Sequence, residues 1–228
     1  MTNRVRSAGL AAASLSLLLV AACGTGTPGV ARGEAVYDTC RPCHGDAGEG
    51  NQALGAPAIA GLPRWYIVSQ LTGFEIGFRG THPQDTVGIR MKSMARTFDV
   101  EGDLESVADY VATLPRLDHA ATLMDAEGAP LGNVQAGEQV YTTVCAGCHL
   151  GGAEGFEGSQ APPLLGQHDW YMLAQYQKYL RGWRGTHADD VWGRTMQEST
   201  ARATEAQALD ALAYIRTLPL AGAQAATQ

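Results

Sequence analysis

Charged side chains are scarce in this 228-residue sequence, at 17%, whereas hydrophobic residues make up 45%. This balance excludes a disordered polyelectrolyte, because the chain has enough apolar surface to bury on folding. The 16 basic residues are outnumbered by 23 acidic ones, so we expect no nucleic-acid partner. Aromatic residues are also few, at 7%, and glycine and proline are frequent. Two small domains of this composition would have thin cores unless a cofactor fills them.

The sequence also lacks an apolar run of the roughly 20 residues that cross a bilayer. A shorter run over residues 10–22 follows Arg4 and Arg6, which is typical of a secretory signal peptide. The run ends in the letters VAAC, which resemble a bacterial lipobox whose cysteine is lipidated. We therefore expect a signal peptide over 1–22, a lipid on Cys23, a tether over 23–29 and a periplasmic, membrane-anchored lipoprotein. An ordinary cleaved signal peptide is the alternative.

The rest of the chain is an internal duplication. The motif Cys40-x-x-Cys43-His44 returns 105 residues later as Cys145-x-x-Cys148-His149. The same offset relates further pairs, namely Pro57 and Pro162, Trp65 and Trp170, Gln70 and Gln175, Arg79 and Arg184, His82 and His187, and Met91 and Met196. Repeats of this kind mark repeated structural units. We therefore predict domains over 30–115 and 134–219, a linker over 116–133 and a tail over 220–228.

Each half reads as three short helices, and no alternating strand pattern of useful length is present, so we predict an all-α fold. One helix runs into the cysteine motif. A second begins at the Trp-Tyr pair and carries Ile67, Leu71 and Phe74 at helical spacing. The third precedes Pro115 and has an i, i+3, i+4, i+7 pattern of apolar residues, namely Leu104, Val107, Ala108, Val111 and Leu114.

The Cys-x-x-Cys-His motif is a haem attachment pattern. Its two thiols, one helical turn apart, can bond the two vinyl groups of one porphyrin while the adjacent histidine reaches the iron. Zinc would need four protein ligands, and each half offers only two cysteines and one histidine. A redox dithiol would be expected among strands. Since Cys23 is the only cysteine outside the two motifs, no disulfide framework is available, and we predict two covalently attached haem c groups.

The duplication restricts the second axial ligand, because a ligand in one half should have an equivalent in the other. Met91 and Met196 correspond, each 47 residues after the histidine of its motif. Methionine with histidine is a common ligand pair in cytochromes c. His82 and His187 also correspond, which leaves ligation by two histidines as the alternative.

These repeated residues resemble class I cytochrome c domains in tandem, the arrangement of the dihaem cytochrome c4 family. The resemblance covers nearly the whole chain after the signal peptide. It implies an all-α fold with each haem in a crevice. It also implies residue roles: His44 and His149 as proximal ligands, Met91 and Met196 as distal ligands, Pro57 and Pro162 as carbonyl acceptors for the proximal histidines, and Arg79 and Arg184 as partners of the haem propionates. For the two arginines, a solvated position at a helix end is the alternative.

With both axial positions filled, substrate cannot reach the iron, so we expect an electron carrier and not an enzyme. The expected partners are a membrane quinol-oxidising complex as donor and a terminal oxidase or reductase as acceptor. Two alternatives remain open. One is an electron-transfer subunit of a larger respiratory complex. The other is a dihaem enzyme, either peroxidase-like or thiosulfate-oxidising, although the thiosulfate-oxidising type is associated with a cysteine ligand that this chain cannot spare.

Overall fold

The computed structural model describes residues 29–98 and 100–220. The predicted signal peptide, Cys23, all but the last residue of the tether and all but the first residue of the tail lie outside the described residues. None of the helices described is long and apolar enough to span a membrane. The described residues form isolated β-bridges but no sheet, which confirms the all-α prediction.

The described residues of the first half contain five α-helices, namely α1 (Val30–Tyr37), α2 (Arg41–His44), α3 (Arg64–Glu75), α4 (Thr86–Ala95) and α5 (Asp103–Thr113), and a 3-10 turn over Gln52–Leu54. The second half repeats them as α6 (Val134–Val140), α7 (Ala146–His149), α8 (Asp169–Leu180), α9 (Val191–Ser199) and α10 (Glu205–Ile215). Between α6 and α7 the residues Tyr141–Cys145 form a π-helical turn. The prediction of three helices in each half was therefore wrong in number.

Helices α4 and α9 were missed, although α4 carries Val87, Met91 and Ala95 at helical spacing. Each is started by an aspartate whose side chain accepts a hydrogen bond from a backbone N–H three residues later. Asp85 binds the N–H of Gly88 at 2.9 Å, and Asp190 binds that of Gly193 at 2.8 Å. Such N-caps satisfy backbone donors that a helix start leaves unpaired. The caps are a second local signal for these helices, beside the apolar spacing.

Helices α3 and α5 confirm the periodicity that predicted them. Ile67, Leu71 and Phe74 are buried in α3, and Val107 and Val111 are buried in α5. The core around them also contains Tyr37, which is fully buried and donates from its hydroxyl to the Gly45 carbonyl at 2.8 Å. Tyr141 does the same in the second half, with the Leu150 carbonyl at 2.6 Å.

The first and last helices of each half cross at close range over a glycine. A Cβ added to Gly33 of α1 would lie 1.9 Å from the backbone oxygen of Ser106 in α5. A Cβ added to Gly137 of α6 would lie 1.9 Å from that of Asp210 in α10. Only a residue without a side chain permits this approach, which explains why glycine stands at both repeat positions.

The linker is an ordered strap along the second domain. The carboxylate of Asp169, at the start of α8, accepts hydrogen bonds from the backbone N–H of Thr122 at 2.9 Å and of Leu123 at 3.2 Å. Arg216 reaches the same carboxylate at 3.2 Å. This buried aspartate therefore holds the linker against the last helix of the chain.

The two domains pack against each other through polar contacts from α8 and the turn before it. Lys178 of the second domain lies 2.7 Å from Asp85 of the first, and both side chains are largely buried. Gln167 donates to the Ala58 carbonyl at 2.8 Å. These contacts join α8 and the turn before it to the start of α4 and to the loop after α2.

Candidate functional site

Each cysteine motif lies at a one-turn helix that ends in its histidine. Cys40 precedes α2, and Cys43 and His44 complete it; Cys145 precedes α7 in the same way. Burial raises the pKa of the Cys40 thiol and raises that of Cys145 to about 11. A redox-active dithiol needs the opposite shift, because the thiolate is the reactive form. The shift of these two thiols is thus the reverse of the one that favours dithiol exchange.

The motif histidines are buried and oriented identically in the two halves. The Nδ1 atom of His44 lies 2.9 Å from the Pro57 carbonyl oxygen, and that of His149 lies 2.8 Å from the Pro162 oxygen. Because a carbonyl can only accept, each Nδ1 must carry the proton, which leaves the Nε2 lone pair free to bind a metal. Burial lowers the pKa of both imidazoles and so favours the neutral, ligating form.

Each histidine faces a cavity that a paired methionine also lines. The first cavity, of about 160 Å³, is bounded by Cys43, His44, Pro57 and Met91. The second, of about 550 Å³, extends to the domain boundary and is bounded by the equivalent residues Cys148, His149, Pro162 and Met196. The two predicted axial residues of each half therefore lie around one crevice.

The alternative axial histidines lie elsewhere. The ring of His82 stacks on Trp183 with centroids 5.2 Å apart, and the ring of His187 lies 4.8 Å from that of Phe78. Each ring also accepts a hydrogen bond at Nδ1 from a backbone N–H two residues later. Neither histidine lines a crevice. Their contacts tie the loops of the two domains together.

The donor set does not suit zinc. Across residues 29–98 and 100–220, histidine, cysteine and carboxylate side chains form no group of three or more that could hold a metal ion. A site with two cysteines and one histidine lacks the fourth protein ligand of a structural zinc site. The same three residues are what a covalently attached porphyrin requires.

The two crevices share a wall at the domain boundary. Both cavities are lined by Tyr66, Gln70, Arg79, Tyr171 and Gln175, which we call the shared wall. The role of the two repeated glutamines was not predicted from the sequence. Gln70 and Gln175 each accept hydrogen bonds from arginines of both domains, a contact that only domain packing creates.

Two guanidinium groups lie at this boundary, Arg79 in the shared wall and the half-buried Arg184 on the second crevice. Arg79 is buried, and its guanidinium carbon lies 4.2 Å from the centroid of the Phe74 ring. Arg184 lies 4.5 Å over the Tyr179 ring and lines the second crevice. In the described part of the chain, neither group lies within 4.0 Å of a carboxylate. Buried charges normally have a counter-ion, so a carboxylate-bearing group fits both crevices here.

The chain resembles known proteins along most of its length. It is 29% identical over 193 residues to a thiosulfate dehydrogenase electron acceptor of Thiomonas intermedia (strain K12), covering 83% of this chain and 82% of that protein. It is 30% identical over 205 residues to the protein of the same name from Stutzerimonas stutzeri (strain A1501), covering 86% of this chain and 89% of that one.

The fold also matches a solved structure. Reduced recombinant cytochrome c4 from Pseudomonas stutzeri superposes with a TM-score of 0.63 at 23% identity, over 85% of this chain and all of that one. The family model described as Cytochrome c matches twice, at residues 30–115 and 134–219. The chain therefore belongs to the cytochrome c family, as two tandem class I domains that each carry a covalently bound haem c and transfer electrons.

Proposed function

We propose that this protein is a periplasmic dihaem carrier that accepts electrons from a thiosulfate dehydrogenase and delivers them singly to a membrane-bound oxidase or reductase. The name shared by the two relatives supports this donor in preference to the quinol-oxidising complex expected from the sequence. Forming one S–S bond between two thiosulfate ions releases two electrons. Two haems can hold one electron each, which matches that stoichiometry.

In this proposal a histidine and a methionine would hold each iron. The Nε2 atoms of His44 and His149, left unprotonated by the proline carbonyls, would provide one ligand in each half, and the thioethers of Met91 and Met196 would provide the other. The position of each methionine on the crevice of its histidine supports this pairing. When bound, each haem supplies an iron that gains or loses one electron. With these side chains as ligands, no position on the iron would remain for a substrate.

Arg79 and Arg184 would hold the haem propionates at the shared wall. Guanidinium groups suit this role because they pair with carboxylates through two parallel hydrogen bonds. Arg79 is buried and Arg184 half-buried, and neither has a carboxylate within 4.0 Å among the described residues, which supports the assignment. With both arginines bonded to the same two glutamines, the propionate edges of the two haems would meet at the boundary. Electrons would then pass between the domains over a short path.

The lipobox-like letters VAAC support a lipid anchor on Cys23. An anchor of this kind would keep the carrier beside its membrane acceptor while leaving it free to meet a periplasmic donor. The short segment rich in glycine and threonine after Cys23 would provide the tether.

A single observation carries the proposed function: the same histidine and proline pair recurs, at 2.9 and 2.8 Å, in two crevices that share a wall. The test is to mix the oxidised protein with a purified thiosulfate dehydrogenase and thiosulfate and to record haem reduction spectroscopically. We expect two electrons to enter each molecule.

Two controls make the test specific. Thiosulfate without the enzyme should leave the haems oxidised, since the axial positions are closed to it. A quinol-oxidising complex supplied with quinol should reduce the protein much more slowly than the thiosulfate enzyme does. The reverse order of the two rates would contradict the proposed donor.

A further inference from the structure

The mouths of the two haem crevices differ, although the repeat relates them position by position. In the first domain the Arg90 guanidinium, on α4, donates a hydrogen bond to the Leu54 carbonyl in the turn that faces it. The counterparts in the second domain are Thr195 and Ser159. Both of these hydroxyls donate to carbonyls on their own side of the mouth. The arginine that joins the two sides of the first mouth is thus replaced by a short side chain in the second.

The second mouth is also flanked by large exposed apolar side chains. Those side chains, which we call the second-domain patch, are Phe156, Val191 and Trp192, exposed by 52%, 61% and 48%. Val191 and Trp192 line the second crevice, and Phe156 precedes the turn that forms its other side. The equivalent positions in the first domain are Asn51, Thr86 and Val87. Exposed apolar patches mark contact sites, and aromatic residues are enriched at interface centres.

The haem attachment point is nearer the surface in the second domain. Cys148 is exposed, whereas its counterpart Cys43 is partly buried. The residue before Cys148 is Gly147, beside which a Cβ would meet no atom within 4 Å. A partner seated on the second-domain patch would therefore lie beside Cys148, to which the second haem would be bonded.

The charges around the second-domain patch are mainly acidic. The exposed carboxylates near it belong to Glu154, Glu157, Asp189 and Glu198. Arg194 lies 3.9 Å from Glu198 and so offsets part of this charge. The basic residues of the first mouth, Arg41 and Arg90, are replaced by Ala146 and Thr195. An apolar centre within an acidic rim is complementary to an apolar centre within a basic rim.

We propose that the second domain is where this carrier docks its redox partner, through Phe156, Val191 and Trp192. The partner is a redox protein whose own cofactor edge lies in an apolar patch ringed by lysine or arginine. Electrons cross between that protein and the second haem, and the first haem exchanges electrons with the second through the shared wall. This inference goes beyond the proposed function, because it holds for any partner with such a surface.

The test uses mitochondrial cytochrome c, a small cytochrome with lysines around its haem edge, as the probe. A double variant, Phe156→Asn with Trp192→Val, replaces these two residues by their first-domain counterparts, Asn51 and Val87. We expect this double variant to bind the probe about tenfold more weakly in calorimetry, as loss of an interface tryptophan commonly does. Electron exchange measured by stopped flow should slow by a similar factor. Higher salt should slow exchange in the native protein, because the acidic rim steers the encounter.

A matched control lies on the first domain. Ile89→Ala removes an exposed apolar side chain, 39% exposed, from the helix that corresponds to that of Trp192. It should change neither affinity nor rate, and both variants should keep their haem content and helical circular dichroism. Equal losses in the two variants, an unchanged double variant, or a native protein that does not bind the probe at low salt would each overturn the proposal. Because the probe is unrelated to thiosulfate, none of these results depends on the proposed donor.

Discussion

The Nη2 atom of Arg184 in the second domain lies 2.8 Å from the Oε1 atom of Gln70 in the first. The reciprocal contact, from Arg79 to Gln175, measures 3.1 Å. Each glutamine also accepts from the arginine of its own domain, at 2.6 and 2.9 Å. The domain boundary thus has two positive charges, and hydrogen bonds to the two repeated glutamines hold them in place.

Replacing Arg184 by glutamine should lower the reduction potential of the second haem. A positive charge beside the porphyrin disfavours the oxidised iron, which carries one more positive charge than the reduced form. At an effective dielectric constant of about 20 the interaction is about 1 kcal/mol, or about 40 mV for a one-electron couple. Potentiometric titration of the α-band measures the change.

Arg184→Lys is the matched control, because it retains the charge but not the planar pair of donors. In this variant the reduction potential of the second haem should stay close to that of the native protein. A potential that is unaltered by Arg184→Gln would show that the guanidinium lies too far from the haem to act as its counter-ion.

Met91→Ala and Met196→Ala should each remove the absorption band that methionine sulfur gives oxidised haem, in one haem only. Loss of the thioether ligand should also lower the potential of that haem by roughly 100 mV or more, since axial ligands dominate haem potentials. Optical spectra and potentiometry of each variant measure both effects. His82→Ala and His187→Ala should leave band and potential in place, and the opposite pattern would assign the ligands to the histidines.

The sequence predicted those parts of the site that local spacing dictates. The Cys-x-x-Cys-His motif fixes two thiols and an imidazole on one helical turn, so haem attachment follows from the chain itself. The pairing of Met91 with Met196 came from the repeat, and the structure places each on the crevice of its histidine. The apolar spacing of Ile67, Leu71 and Phe74 likewise sufficed to predict α3.

What the sequence could not predict arises from packing between distant segments. The hydrogen bonds of Gln70 depend on how the domains dock, and no local pattern encodes that geometry. Helix α4, by contrast, does carry a local pattern, because Val87, Met91 and Met94 stand at helical spacing and line the first crevice. In both repeats the capping aspartates, Asp85 and Asp190, were a further signal for the missing helices.

Gly33→Ala should destabilise the first domain by about 2 to 3 kcal/mol, at the upper end of the cost of overpacking. The added methyl would lie 1.9 Å from the Ser106 backbone oxygen, so α1 and α5 must separate. Denaturant unfolding followed by circular dichroism measures the change. Gly151→Ala is the matched control, because an added Cβ there meets no atom within 4 Å. A Gly33→Ala protein as stable as the control would show that the helices can part at no cost.

Cys23→Ala should release the protein from membranes, because a lipid on that cysteine would be its attachment. Fractionation of cells followed by mass measurement of the mature chain tests this. The native chain should be heavier than its polypeptide and two haems by the mass of the lipid. If the substituted protein remained with the membrane fraction, attachment would have to come from another part of the chain or from a membrane partner.

Lowering the pH should weaken the junction between the linker and the domains at His119. Burial and the neighbouring His168, whose ring centroid lies 3.8 Å away, lower the pKa of His119 from 6.5 to about 4. Asp118, Arg116 and Glu49 also face this ring. Between pH 6.5 and 4 the unfolded chain therefore binds a proton that the folded chain does not. The contribution of His119 to the free energy of unfolding is complete above pH 6.5 and is lost as the pH falls toward 4.

His119→Phe should flatten this dependence, because the substituted ring has no proton to bind. Thermal unfolding at pH 7 and at pH 4.5, with haem absorbance recorded to detect loss of the iron ligands, measures the difference. The midpoint of the native protein should fall by more between the two pH values than that of the variant. His187→Ala, at a partly exposed surface ring, should retain the native dependence. Identical slopes for the native protein and His119→Phe would place the acid-sensitive group elsewhere.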